Sequence, residues 1–273
     1  MRFRFKAFGL HLLGSACALT LVLGGLYLGW YRWPGWYLTG VLHVLVIVGA
    51  VDLALGPSLT GIIANPRKPR RELARDIAII VTVQVVALIY GAATLWQGRP
   101  LYYTFSVDRL EMAQASDLNP DEVALAKHQN PALAPHWYSL PRWVWAPLPD
   151  DPEEANKIVN SAVLGGGSDV IDMPRYFKPW DQGLPKLREQ LMRLDDIKQL
   201  NKAQKQSLTA RMSADGLAPQ QRNALIMWGG DGVLRLLAVF DLTTLEIKAI
   251  LKPDTEPAVP RHPVALPQRR AHP

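Results

Sequence analysis

The sequence predicts a membrane α plus α+β fold, in which three transmembrane helices precede an α+β domain outside the cytoplasm. Three observations predict it: long apolar segments, basic residues at their flanks, and a C-terminal part with mixed helix and strand signals. Of the 273 residues, 49% are hydrophobic and only 20% are charged, which is too apolar for an ordinary soluble protein. We expect a three-helix membrane domain at 1–96, an α+β domain at 97–252 and a proline-rich disordered tail at 253–273.

The first span is predicted at residues 7–30, where 24 residues contain no Asp, Glu, Lys or Arg. A helix of that length crosses a hydrocarbon core of about 30 Å. A cleaved signal peptide is the alternative, since Ala16-Cys17-Ala18 has the small-x-small pattern of a cleavage site. The apolar run continues for 12 residues beyond Ala18, and Gly14 stands where a lipoprotein signal usually carries Leu. Both facts favour an uncleaved helix.

The second and third spans are predicted at 40–64 and 77–96, and the basic residues set their orientation. Basic side chains precede the first span and fill the 65–76 loop, whereas the loop between the first two spans carries only Arg32. The positive-inside rule therefore places the N-terminus and the 65–76 loop in the cytoplasm and the α+β domain outside it. An aromatic belt is expected at the outer interface, formed by Trp30, Tyr31, Trp33, Trp36, Tyr37 and Trp96.

The charge distribution argues against nucleic-acid binding. Residues 1–96 hold 9 of the 30 Lys and Arg and 3 of the 24 Asp and Glu, so the whole net charge of +6 lies there. The remaining residues are balanced and offer no basic field for phosphates. The 65–76 loop either only enforces topology or also binds anionic lipid headgroups or a cytoplasmic partner.

Asp52 lies near the middle of the second span, where insertion costs an acid about 2.5–3.5 kcal/mol. One interpretation is a hydrogen-bonded Asp inside the helix packing. The other is a docking point for a cation or for a polar group of a partner helix. The internal partners to be expected are Gln84, Ser58 and Thr60.

Gly56-Pro57 follows Asp52 by about one turn. Pro57 removes the helical hydrogen bond to Leu53, so we expect the second span to bend there. His11 and His43 are predicted near opposite membrane faces, and we expect neither to form a proton relay with Asp52.

The part from residue 97 onwards carries signals of both strands and helices, which are typical of an α+β domain. Alternation and aromatic or β-branched residues predict strands at 101–107, 224–228, 233–240 and 245–251. Helices are predicted to begin at Asn119-Pro120 and Asp151-Pro152, the second ending at a flexible Gly165-Gly166-Gly167 stretch. Leucines and one isoleucine at spacings of three and four predict an apolar stripe on a longer helix through 184–200. That stripe covers a sheet or, alternatively, binds a partner.

The sequence predicts no catalytic residue, no cofactor-binding residue and no metal ligand. The Gly165–Ser168 stretch has neither the ending of a phosphate-binding loop nor the pattern of a nucleophile elbow. His128 and His136 have no acid or cysteine at metal-ligand spacing. With Cys17 as the single cysteine, intrachain disulfides and paired-cysteine zinc sites are excluded. We therefore expect a protein that is not an enzyme and needs no cofactor.

Several motifs in the membrane half resemble the TfpX/TfpZ family of type IV pilin accessory proteins. The chain carries KAFGLHLLGS at 6–15, VDLALGPSLT at 51–60 and QVVALIYG at 84–91, followed by Arg99-Pro100. A weaker resemblance covers Asp169-Val170 and Pro174-Arg175-Tyr176, whereas the proline-rich tail departs from the family. The matching positions imply a partner-binding set of Asp52, Gly56, Pro57, Thr60, Gln84, Tyr90, Gly91, Arg99 and Pro100.

The resemblance implies a multi-pass inner-membrane protein of a Gram-negative bacterium, with its C-terminal domain in the periplasm. Such a protein binds or stabilises a cognate type IV pilin in a chaperone-like way and promotes pilus assembly. A pilin awaiting assembly is one apolar helix with its head outside. We expect pilin and membrane lipid as partners, no nucleic acid, and no particular oligomeric state. The alternatives are a membrane sensor with a periplasmic ligand-binding domain and, less favoured, an envelope enzyme.

Overall fold

The computed structural model describes residues 2–164, 169–230, 232 and 235–253. Its contacts divide the chain into two compact units. The helical unit contains Met1–Arg32 and Gly40–Arg99, and the sheet unit contains Trp33–Thr39 and Pro100–Pro273. The predicted Gly165–Gly167 loop and the tail beyond Pro253 lie outside the described residues.

The helical unit consists of three helices that are long and apolar enough to cross a membrane: Arg2–Gly29, Leu42–Ile63 and Arg70–Gln97. The first is α1 and the third is α5. The middle one, called here the second spanning helix, is continuous but has three parts. They are α3 (Leu42–Gly49), a π-helical segment (Ala50–Leu55) and α4 (Gly56–Ile63), whereas α2 (Gly35–Leu38) belongs to the sheet unit.

The π-helical segment stands where the sequence predicts a bend. Pro57 occupies the first turn of α4 and has no N–H to donate to Leu53. The turn before it is widened into a π-helix, a change that occurs where the normal helical ladder is interrupted. Asp52 lies inside this segment, so the local distortion and the buried acid coincide.

Hydrogen bonds and one aromatic contact join the helices at both ends of the helical unit. At one end, Arg4 Nε donates to the carbonyl of Ala64 at 3.1 Å. At the other end, the rings of Trp30 and Trp96 meet edge to face at 4.9 Å, and the Tyr31 hydroxyl donates to the Leu95 carbonyl at 2.6 Å. Both ends of α1 are therefore tied to a later helix.

The sheet unit is built on a seven-stranded mixed sheet with the order β4-β3-β1-β2-β5-β6-β7. The strands are β1 Pro100–Ser106, β2 Arg109–Gln114, β3 Arg142–Trp145, β4 Lys178–Pro179, β5 Ala224–Trp228, β6 Arg235–Phe240 and β7 Ile247–Leu251. The hairpin of β1 and β2 lies at the centre, where β3 joins β1 in parallel and β5 joins β2 in parallel. The helices of this unit are α6 Pro120–Gln129, α7 Pro152–Leu164, α8 Leu184–Gln190 and α9 Lys202–Ala214.

The predicted long helix through 184–200 is wrong. Helix α8 ends at Gln190, Met192 then pairs with Ala224 in an isolated β-bridge, and a short 3₁₀ turn follows at Leu194–Asp196. The side chains at the apolar positions are still mostly buried, because this irregular chain packs on the sheet. The spacing of three and four predicted their burial but not their conformation.

The segment Trp33–Thr39 also differs from expectation, because it belongs to the sheet unit. Leu38 is fully buried in the sheet unit's core beside residues such as Tyr103 and Phe105, and Trp33 and Tyr37 pack against that core. Lys252 lies 5.1 Å above the Tyr37 ring. Trp33 and Tyr37 therefore contribute to the α+β core, and the interfacial aromatic belt stays a prediction.

Candidate functional site

A chain of polar side chains lies inside the helical unit and links all three spanning helices. Gln84 on α5 donates from Nε2 to the Asp52 carbonyl at 3.1 Å and reaches Asp52 Oδ1 at 3.4 Å. His11 on α1 contacts Gln84 Oε1 through Nε2 at 2.6 Å and Thr60 Oγ1 through Nδ1 at 2.5 Å. Ser15 completes the set at 3.4 Å from Gln84 Nε2.

The chemistry of these groups fixes the direction of the hydrogen bonds. Gln84 Oε1 can only accept, so His11 carries a proton on Nε2 and donates it. In a neutral imidazole Nδ1 then accepts from the Thr60 hydroxyl. The amide of Gln84 is thereby held with its nitrogen toward Asp52, the orientation that the whole network requires.

Asp52 is 3% exposed, and its Oδ2 atom has no hydrogen-bond partner among the described residues. Of the two interpretations of Asp52, the internal hydrogen bond is therefore present, but it engages only one side of the carboxyl group. A buried polar atom without a partner costs about 1–3 kcal/mol. The second oxygen is therefore buried without a hydrogen-bond partner, at a residue that lines a cavity.

Gly56 and Pro57 make room for the Gln84 side chain. A Cβ at residue 56 would lie 2.1–2.4 Å from the amide atoms of Gln84, so only glycine leaves room for that side chain. Pro57 lies just after the π-helical segment that contains Asp52. Together these two residues allow the Gln84 amide to approach the Asp52 backbone.

The remaining sequence-predicted residues lie elsewhere. Gly91 receives Val48, whose Cγ2 would be 2.5 Å from a Cβ at that position, so it serves close packing of α5 on α3. Tyr90 is 75% exposed and takes no part in the polar chain. Arg99 packs over the Trp96 ring at 4.2 Å, and Pro100 begins β1 in the sheet unit. The structure thus brings together Asp52, Gly56, Pro57, Thr60 and Gln84, but not the other four.

His11 and Ser15 belong to the site, although the sequence analysis predicted neither there. His11 was expected only to lie near one membrane face and to form no proton relay with Asp52; the structure joins the two residues through the Gln84 amide. The available signal was a histidine and a serine four residues apart in an otherwise apolar segment. That spacing places both on one face of α1.

A cavity of about 400 Å³ lies beside this polar chain, and we call it the α1–α5 groove. Helices α1 and α5 form its walls, and the second spanning helix forms its floor. Its lining residues are Ala7, Leu10, His11, Gly14, Ser15, Ala18, Asp52, Thr60, Ile77, Val81, Gln84, Val85 and Leu88. The lining is apolar except around Asp52, so the groove is an apolar site with a few convergent polar groups.

In the sheet unit, the weakly resembling segment near 169–176 forms structural ties. Asp169 caps a short 3₁₀ turn and accepts from Arg109 at 2.8 Å. Arg175 pairs with Glu122 of α6 at 2.6 Å and with Glu154 of α7 at 3.3 Å. These ion pairs hold α6 and α7 together. Across the described residues, no group of three or more His, Cys, Asp or Glu side chains could hold a metal ion.

The fold and the site indicate a class of protein: a helical membrane protein that carries an α+β domain and a polar site between its spanning helices. Comparison with known proteins gives relatives in Dichelobacter nodosus. The chain is 30% identical over 124 residues to the fimbrial assembly protein of serogroups C1 and C2, covering 95% of that relative and 45% of this chain. The chain belongs to this family of fimbrial assembly proteins.

Two further relatives match over a longer range. The fimbrial assembly protein of serogroup I is 28% identical over 190 residues, which are 68% of this chain and 71% of the relative. That of serogroup E1 is 27% identical over 210 residues, which are 76% of this chain and 79% of the relative. Since neither unit holds three quarters of the chain, the last match extends into both. No family model and no solved structure matches the chain.

Proposed function

We propose that this protein is an inner-membrane accessory protein of type IV fimbriae, of the TfpX/TfpZ kind, that binds a cognate pilin and promotes its assembly. In this proposal the N-terminus lies in the cytoplasm, the sheet unit lies in the periplasm, and the protein acts by binding and not by catalysis. The observation that carries the proposal is the similarity to proteins named for fimbrial assembly, which extends over 76% of the chain.

The geometry of the helical unit supports a binding role. In lipid, apolar helices gain little hydrophobic energy from meeting, so recognition depends on close packing and polar pairs. The α1–α5 groove offers both, with small residues on α1 and Asp52, whose buried Oδ2 lacks a partner, at its floor. A pilin awaiting assembly, expected to be one apolar helix with an outer head, has the matching topology.

The test is to purify the tagged full-length protein from crosslinked native membranes and identify the captured proteins by mass spectrometry. An unrelated tagged protein with three spans, expressed at the same level, is the control. We expect the major pilin in near-stoichiometric amount with this protein and not with the control. Normal expression without captured pilin would contradict the proposal and favour the sensor alternative.

A further inference from the structure

The α1–α5 groove has the features of a binding site for a helix within the membrane. We propose that it receives one face of the transmembrane helix of a fimbrial subunit, and that this helix places a hydrogen-bonding group against the carboxyl group of Asp52, whose Oδ2 is buried and unpartnered in the absence of the subunit. The identity of that helix rests on the proposed function. Four features of the groove support a helix as its occupant: its opening, its small residues, its unpartnered carboxylate oxygen and its size.

The groove opens out of the side of the helical unit and not into its centre. Leu10 on one wall is 74% exposed, Val81 on the other wall is 40% exposed, and Val85 is also exposed. If α1 and α5 span a bilayer, these apolar side chains face either lipid or another helix. An occupant can therefore enter sideways from the membrane without crossing a polar surface.

Small residues line the α1 wall along its length: Ala7, Gly14, Ser15 and Ala18. A Cβ placed on Gly14 would meet nothing within 4 Å, so the space beside this residue is open. Small residues at a helix surface let a second backbone approach closely, which is the main source of packing energy between helices in lipid. The α1 wall is thus suited to a helix backbone.

The unpartnered oxygen of Asp52 distinguishes a helix from an acyl chain as occupant. An ionised Oδ2 accepts a hydrogen bond, and a protonated one donates, so in either state it requires a polar partner. A lipid tail offers none, and an unsatisfied polar group in the hydrocarbon region costs several kcal/mol. A helix that carries one polar side chain at this depth meets the requirement.

The dimensions limit the contact to one face of the occupant. The α1 wall from Ala7 to Ala18 is about 16 Å long at 1.5 Å per residue. A helix of that length with its side chains occupies on the order of 1500 Å³. The cavity holds about 400 Å³, so it takes the side chains along one stripe while the opposite face stays outside.

Photocrosslinking in native membranes tests this inference. A photoreactive amino acid replaces Leu10 or Val81 in the groove, or Leu13 or Ile79 as controls on the same two helices. All four positions are exposed and apolar, and the last two do not line the groove. We expect the fimbrial subunit to crosslink from positions 10 and 81 and only weakly from positions 13 and 79.

Blocking variants give a second measurement with a matched control. Gly14→Leu fills the groove, whereas Gly9→Leu makes the same change on another face of α1, where a Cβ also meets nothing within 4 Å. We expect Gly14→Leu to lower subunit capture about tenfold, equivalent to ~1.4 kcal/mol, and Gly9→Leu to leave it unchanged. Asp52→Leu, at normal protein level, should also lower capture.

The outcomes separate this inference from the proposed function. If the wild-type protein captures the subunit but positions 13 and 79 crosslink as well as 10 and 81, the groove is not the site. Capture unaffected by Gly14→Leu, or crosslinks to lipid in place of the subunit, overturns the inference in the same way. If the wild-type protein captures no subunit at all, the proposed function itself is wrong.

Discussion

Gly56 shows how one missing side chain supports a buried polar network. The Gln84 amide occupies the space where a Cβ of residue 56 would lie, and from there it contacts both Asp52 and His11. We predict that Gly56→Ala displaces Gln84 and breaks both contacts. The expected loss is about 1–3 kcal/mol of stability, the cost of leaving buried polar groups unpaired. Thermal unfolding of the purified protein in detergent measures it.

The matched control for this variant is Gly49→Ala, on the same spanning helix. A Cβ at Gly49 meets nothing within 4 Å, while the gain in helix propensity is the same as at Gly56. We expect Gly49→Ala to be neutral or slightly stabilising. Equal melting temperatures for the two variants would show that Gln84 relocates at no cost and that the network contributes little.

Asp172 in the sheet unit is predicted to make stability depend on pH. Burial, together with the nearby carboxylates of Asp117, Asp169 and Glu111, raises the pKa of its carboxyl group to about 7 against the opposing effect of the backbone hydrogen bond from Asp169. The folded state therefore holds this proton at pH values where the unfolded chain has lost it. Stability from this group is present at acidic pH and falls as pH rises through about 7.

We predict that Asp172→Asn removes this loss, which in the wild type amounts to about 2 kcal/mol between pH 5.5 and pH 8. The amide oxygen of Asn can still accept from the Asp169 backbone N–H, so the turn is kept. Melting temperatures between pH 5.5 and 8.5 check the prediction, with Asp150→Asn at an exposed acid as the control. An unchanged pH slope in Asp172→Asn would assign the dependence to other groups.

Among the elements, those with local end signals could be predicted from sequence. Helix α6 starts as expected, since Asn119 accepts from the N–H groups of Asp121 and Glu122 and Pro120 needs no partner. Strands β2 and β3 could not be foreseen. The first is rich in polar residues, and the second has only four residues beside prolines, so each depends on its pairing with β1.

The prediction of a long helix through 184–200 is wrong for a related reason. Met192 exchanges hydrogen bonds with Ala224, at 2.9 and 3.1 Å, and this long-range pairing draws the chain out of helical geometry. Spacing of apolar residues records which positions are buried, and both a helix and an irregular chain on a sheet can satisfy it. Only the tertiary contact decides between them.

The part of the candidate site that depends on a contact between only two helices could be predicted from the sequence. Asp52 and Gln84 are the two polar residues nearest the middle of their spans, so their contact followed from depth alone. His11 was missed because its contact depends on how α1 packs against α4, which brings it to Thr60. The relative depth of two helices depends on packing and not on the length of their apolar segments.

At the scale of the whole molecule, the two units are not simple halves of the sequence. The sheet unit takes Trp33–Thr39 from the loop between the first two spans, and Leu38 is fully buried in its core. The core residues around Leu38 come from strands far along the chain, including Leu225 on β5 and Phe240 on β6. The sheet unit is therefore complete only when both segments are present.

This arrangement determines how the proposed specificity for a pilin should be tested. We predict that the sheet unit selects the pilin, so exchanging it with that of a relative should switch which pilin is served. Two chimeras are compared: one replaces only residues 97–252, and the other replaces 33–39 as well. The first chimera keeps this protein's own Leu38 segment, which must then pack against the core of the relative. A mismatched buried side chain costs about 1–3 kcal/mol.

We expect the two-segment chimera to be expressed at the wild-type level and to restore piliation only with the relative's pilin. The one-segment chimera should melt at a lower temperature and give weaker piliation, but it should also prefer the relative's pilin. Piliation counts by electron microscopy, in strains that carry one pilin each, measure the preference. If the two-segment chimera keeps the original preference, specificity lies in the helical unit, and the α1–α5 groove becomes the region to exchange next.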